Sequence, residues 1–201
     1  LLDGLHFHTL CEQDADALAT TLAAVEEKFG DLLPRMKWLN FGGGHHITRP
    51  GYDMQTLERC IRRARNDWDV TVYLEPGEAC ALNAGYLLTR VLDVVQNGDT
   101  TVAILDASAA CHMPDVIEMP YRPPLLAAGE KDERPCTVRL AGPTCLAGDV
   151  IGDYSFDAVP AVGDLLVFGD MAIYTTCKNN TFNGMPLPAV FARRADGTIH
   201  K

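Results

Sequence analysis

The stretch YLEPGEACALNAG, Tyr73–Gly85, ends an apolar run on Glu75, turns at Pro76-Gly77 and presents Glu78. Such acids can serve as helix caps. Glu75 can equally hold the ring nitrogen of a heterocycle protonated through a charge-assisted hydrogen bond. Gly42-Gly43-Gly44 follows another apolar run. Three residues without Cβ expose N–H groups to a phosphate, or simply make a tight turn. His8 closes a third run and offers a ring able to stack on a flat heterocycle. A phosphate cradle, a stacking ring and a carboxylate together suggest pyridoxal 5'-phosphate.

Further along, AGPTCLAGD carries Cys145 and Asp149. They read either as a buried cysteine and a turn aspartate, or as a proton-donating thiol and a carboxylate for a substrate amine. Tyr174, in MAIYTTCKNNTFNG, has a hydroxyl that can reach a phosphate. His112, Asp115 and Glu118 crowd one segment, where acids suit a polycationic substrate or form a solvated loop. His45 and His46 are adjacent with no third ligand at a recognisable offset, so no metal is expected.

The elements that must position these groups alternate. LHFHTL, KWLNFGGGHH and VTVYLEPGE read as strands. Between them Leu18, Leu22, Val25 and Phe29 mark one helical face, and Leu57, Cys60, Ile61 and Ala64 another. A third helix is expected over Asn83–Gln96. Alternation of this kind implies parallel β/α units with the chemistry at the strand ends. Three units cannot close an eight-stranded barrel, which takes about 250 residues. Beyond Asp99 the chain turns to strands separated by Gly, Pro and Asp, giving expected domains at 1–98 and 99–201.

The 201 residues are 47% hydrophobic, enough for a sizeable core, and carry a net charge of −10. That charge argues against nucleic acid or an anionic membrane as partner. No run approaches the about 18 apolar residues of a membrane span, and LLDGLHFHTL lacks a signal-peptide pattern. Seven widely spaced cysteines without CxxC read as free thiols of a reducing cytoplasm. The first residue is a leucine in a strand-like segment, and the chain reads as part of something longer.

HTLCE, NFGGGHH, LEPGEA, LDASAACHMPDVIEMPYRPP, GPTCLAGD and YTTCKNNTFNGMPLP together resemble the carboxynorspermidine/carboxyspermidine decarboxylases, in the alanine-racemase-like, fold-type III group of pyridoxal-phosphate enzymes. The resemblance implies the last three β/α units of a TIM-like barrel followed by a C-terminal β-domain. It also implies a homodimer with shared active sites, acting on a small polyamine amino acid. It makes His8 the ring-stacking residue and Glu75 the partner of the pyridine nitrogen. Gly42, Gly43, Gly44, Gly77 and Tyr174 fall to the phosphate, and Cys145 is the catalytic thiol. Glu78, Asp115, Glu118, Asp149 and His46 are the expected substrate-binding residues. Two departures stand out. Glu78 occupies the place where ornithine-type members carry an arginine, which favours a cationic substrate. No lysine here matches the family's Schiff-base lysine, so that residue is expected on a preceding segment, either a separate chain or the missing part of a longer one, and the chain alone is expected to be inactive. Two alternatives are a diaminopimelate-type decarboxylase, which needs a basic group for a distal carboxylate, and a non-catalytic regulatory homologue.

Overall fold

Short strands ending in polar residues alternate with helices up to Leu82. The computed structural model describes residues 2–201, in two compact units that part between Leu82 and Asn83. The first holds β1 (Gly4–His6), α1 (Ala15–Phe29), β2 (Trp38–Gly43), α2 (Met54–Trp68), β3 (Thr71–Glu75) and α3 (Gly77–Ala81). Its strands form a parallel sheet in the order β1-β2-β3. Parallel neighbours need a crossover, and α1 and α2 supply it. α1 buries Ala15, Leu18 and Leu22, while Phe29, expected on the same face, is exposed at its end. α2 opens at Asp53, whose carboxylate accepts from Thr56 N at 3.0 Å. It buries Leu57, Cys60, Ala64 and Trp68 in the core that also holds Leu39 and Phe41 of β2. Each large apolar side chain so buried contributes roughly 1.5–3 kcal/mol.

One irregularity matters for function. Asn40 lies opposite Tyr73, yet Gly43 lies opposite Glu75. β2 therefore carries one extra residue here. Such a bulge bends the strand and re-aims its side chains. Gly42 within it has φ +74°, a conformation that costs a glycine little.

The second unit holds β4 (Leu87–Asn97), β5 (Thr100–Leu105), α4 (Ala109–His112), α5 (Asp115–Glu118), β6 (Cys136–Ala141), β7 (Val150–Phe156), β8 (Leu165–Phe168), α6 (Tyr174–Cys177), β9 (Ala192–Arg193) and β10 (Ile199–His200). Five strands run in the order β7-β6-β5-β4-β8. Only β5 and β6 pair in parallel; β9 and β10 form a separate antiparallel pair. Val91, Leu105, Met113, Val138, Leu140, Tyr154 and Phe168 are in its core.

The helix expected over Asn83–Gln96 is instead the strand β4. Thr89 and Val91 are buried between exposed Leu88, Arg90 and Leu92. That is the two-residue period of a strand, carried by β-branched side chains. Gly98-Asp99 then closes a two-residue hairpin onto β5, with Gly98 at φ +57°. Because β4 belongs to the second sheet, the chain divides at Leu82 rather than after residue 98.

Candidate active site

In the first unit the polar strand ends converge on Glu75. Its Oε1 accepts from Asn40 Nδ2 at 2.7 Å. Its Oε2 lies 3.5 Å from His6 Nε2 and 3.7 Å from His8 Nδ1. The hydrogen bond from Asn40 holds the Glu75 carboxyl below the usual range, and the neighbouring His6 ring adds to the effect. Glu75 is thus ionised at neutral pH, and its side chain is nearly half exposed (46%).

His8 Nδ1 also receives the Gly43 N–H at 3.3 Å. A nitrogen that accepts this bond carries no proton, so the 3.7 Å approach to Glu75 is a contact rather than an ion pair. The ring proton then sits on Nε2, 3.4 Å from Cys11 Sγ. The structure brings His8, Gly42, Gly43 and Glu75 together, as expected, and adds His6 and Asn40. His6 was signalled by the HFH alternation, since residues two apart on a strand share a face.

The glycines do a different job from the one expected of a phosphate cradle. Gly42 N–H donates to Asn40 Oδ1 at 2.9 Å, and Gly43 N–H to His8. Both donors are turned toward the chain's own side chains. Glycine is required because the backbone packs so closely. A Cβ on Gly42 would stand 2.2 Å from Phe7 O, one on Gly43 2.5 Å from Glu75 O, and one on Gly44 2.4 Å from Cys11 Cα.

His45 is buried and donates from Nε2 to Phe41 O at 3.2 Å, a structural role. His46 is 8% exposed, with its Nε2 3.6 Å from Glu78 Oε2. This is beyond hydrogen-bond length. Glu78, expected to face a substrate amine, thus faces a histidine.

His6, His8 and Glu75 also offer ligand atoms within 4.8 Å of one another, a grouping a metal ion could use. The same atoms suit a protonated pyridine ring. Glu75 is an ionised acceptor at a strand end, restrained on Oε1 and flanked by a half-exposed imidazole.

In the second unit Asp149 is buried (3% exposed) and saturated. It accepts from Ser108 Oγ at 2.9 Å, Ala110 N at 3.2 Å, Thr144 Oγ1 at 2.6 Å and Thr144 N at 3.3 Å. This corrects the expectation of a substrate contact. Burial of a carboxylate demands several donors, and here the donors brace the loop carrying exposed Cys145. Asp115 and Glu118 both accept from Lys178 Nζ, whose pKa is raised chiefly by the bond to Asp115 and then by that to Glu118. The two acids expected to hold a substrate's distal amine therefore hold an internal alkylammonium. Tyr174 is 43% exposed, with the Lys178 ammonium 5.9 Å from its ring centre. His112 is buried, accepting from Ser108 N on Nδ1 and donating from Nε2 to Pro186 O. It ties HMPDVIE to NNTFNGMP.

A sequence model of the family described as "Pyridoxal-dependent decarboxylase, C-terminal sheet domain" matches residues 15–172. The chain is 46% identical to a carboxynorspermidine/carboxyspermidine decarboxylase of Campylobacter jejuni, over 93% of this chain and 52% of the relative. It is 43% identical to a carboxyaminopropylagmatine decarboxylase of Synechocystis, over 98% of this chain and 51% of the relative. Among solved structures, carboxynorspermidine decarboxylase from Campylobacter jejuni, complexed with norspermidine, superimposes with a TM-score of 0.86 at 44% identity. That match covers 98% of this chain and 56% of the other. The chain spans about half the length of the relatives it matches. The parallel β/α units and the following sheet domain are the fold it shares with them, and the chain belongs to the pyridoxal-dependent decarboxylase family.

Proposed function

We propose that this chain serves, in the whole protein, the pyridoxal-phosphate-dependent decarboxylation of carboxynorspermidine or carboxyspermidine to norspermidine or spermidine. The observation that carries the cofactor reading is Glu75, held ionised by Asn40 beside the His8 ring. Pyridoxal 5'-phosphate, when bound, supplies an electron sink for the carbon that loses CO₂. Glu75 would hold the ring nitrogen protonated, and His8 would pack beside the ring. Gly44, Gly77 and Tyr174 take the phosphate end. Cys145 would supply a proton to the substrate carbon. Asp149 keeps the Cys145 loop in shape.

The substrate reading rests on the similarity to carboxynorspermidine decarboxylases. Asp115 and Glu118 support it, since a pair that accepts the Lys178 ammonium has the chemistry to accept a polyamine ammonium. Glu78 and His46 are proposed to border the same substrate. The enzyme is proposed to be a cytoplasmic homodimer, its anchoring lysine supplied from outside these residues. Seven free cysteines suit that compartment, and among the described residues no helix is long and apolar enough to cross a membrane.

A second substrate, carboxyaminopropylagmatine, is favoured by the comparable identity to the Synechocystis enzyme. A diaminopimelate substrate is disfavoured by the acids at 115 and 118. The test is CO₂ release by the full-length protein, loaded with pyridoxal phosphate, from each of these four compounds. Release from the carboxylated polyamines is expected. Release from diaminopimelate alone would falsify the reading.

A further inference from the structure

We propose that Asn40 is a positioning residue whose amide joins the Gly42 turn and the Glu75 carboxylate into one rigid part, and that an amide at this position is what keeps Glu75 an acceptor. The inference builds on the reading of Glu75 as the group that holds a pyridine nitrogen.

The geometry leaves the amide one orientation. Asn40 Oδ1 accepts from Gly42 N at 2.9 Å and Nδ2 donates to Glu75 Oε1 at 2.7 Å. Rotating the amide by half a turn would set oxygen against carboxylate and NH₂ against N–H, losing both bonds. The two bonds span the bulge at which β2 and β3 slip by one residue, so Asn40 reaches Glu75 although it lies opposite Tyr73. One oxygen of Glu75 is thereby fixed, and the other is left toward the rings of His6 and His8. The bond from Asn40 is also the leading cause of the lowered Glu75 pKa.

Aspartate at position 40 would keep the acceptor for Gly42 N–H. It would place a second carboxylate at hydrogen-bond distance from Glu75, and the repulsion raises the pH at which the pair loses its last proton. In acid they would share a proton, and Glu75 would be a full anion over a narrower pH range. Residue 40 thus sets the pH range over which residue 75, the group proposed to meet the cofactor, is charged.

The test uses the full-length protein, wild type against Asn40→Asp and Asn40→Ala. Three quantities are measured: the carboxyl carbon titration of Glu75 by NMR without cofactor, the pH dependence of pyridoxal phosphate uptake by visible absorbance, and thermal unfolding. His6 and His8, the titratable groups that face Glu75, stay in place in both variants. Asn40→Asp is expected to raise the Glu75 midpoint by about one pH unit or more, and to move the acid limb of cofactor uptake in the same direction. Asn40→Ala, which only removes the donor, is expected to raise the midpoint less and serves if the aspartate variant folds poorly. A Glu75 midpoint unchanged in the folded variants overturns the proposal, whatever happens to melting temperature. A midpoint that moves while the wild type takes up no pyridoxal phosphate upholds the role of Asn40 and overturns the cofactor reading instead.

Discussion

Glu75 in the first unit and Asp149 in the second are both carboxylates held by hydrogen bonds, and they are held for opposite ends. Asp149 is buried and receives donors from Ser108, Ala110 and Thr144, which lie on two separate segments of its unit. Its acceptor capacity is used up within the protein. Glu75 has one strong donor, Asn40, and keeps a second oxygen at an exposed strand end. The difference lies in what remains unsatisfied. A carboxylate with every lone pair taken stabilises a loop, and one fixed on a single oxygen is poised for something else.

Three substitutions break or sharpen this contrast. Asp149→Ala strands buried donors, each costing about 1–3 kcal/mol. A loss of about 3 kcal/mol is expected in urea unfolding of the full-length protein, and a loss under about 1 kcal/mol would remove the structural role of Asp149. Glu75→Gln is expected to change stability by less than about 0.5 kcal/mol while lowering the decarboxylation rate on the order of a hundredfold. If it unfolds the protein as Asp149→Ala does, the contrast collapses. Asp153 is an intermediate case. It pairs with Arg139 through two bonds, of 2.7 and 3.0 Å, at the surface, and Arg139 holds its carboxyl below the usual 3.8. A depressed folded pKa adds stability above the unfolded value, and that contribution is lost as pH falls through the folded one. Asp153→Asn should therefore cost under about 1 kcal/mol from neutral pH down to about 4, with the difference from wild type fading at lower pH. A cost that instead grows in acid would contradict the pairing.

Much of the first unit could be read in advance because strand ends announce themselves. His8, the glycine run and Glu75 each follow an apolar run, and parallel topology gathers such ends. Asn40 gave no such sign: it sits inside a strand, its partner is 35 residues away, and only the bulge aims it there. The burial of Asp149 was hidden for a similar reason, since Ser108 is 41 residues distant. Lys178 lies within YTTCKNNTFNGMPLP, yet nothing in that stretch pairs it with Asp115 and Glu118, 63 and 60 residues away. Residues 87–97 defeated the periodicity because Leu88 and Leu92 are apolar but exposed. An apolar run with both faces filled can be wound as a helix or extended.

β1 and β3 are the outer strands of the three-stranded sheet, and each offers a row of backbone donors and acceptors with no strand beyond it among the described residues. Tyr73 stands 53% exposed on β3. Unpaired edges of this kind can template strand addition between molecules. In these 201 residues expressed by themselves, edge-to-edge association is the expected liability, and light scattering against concentration measures it.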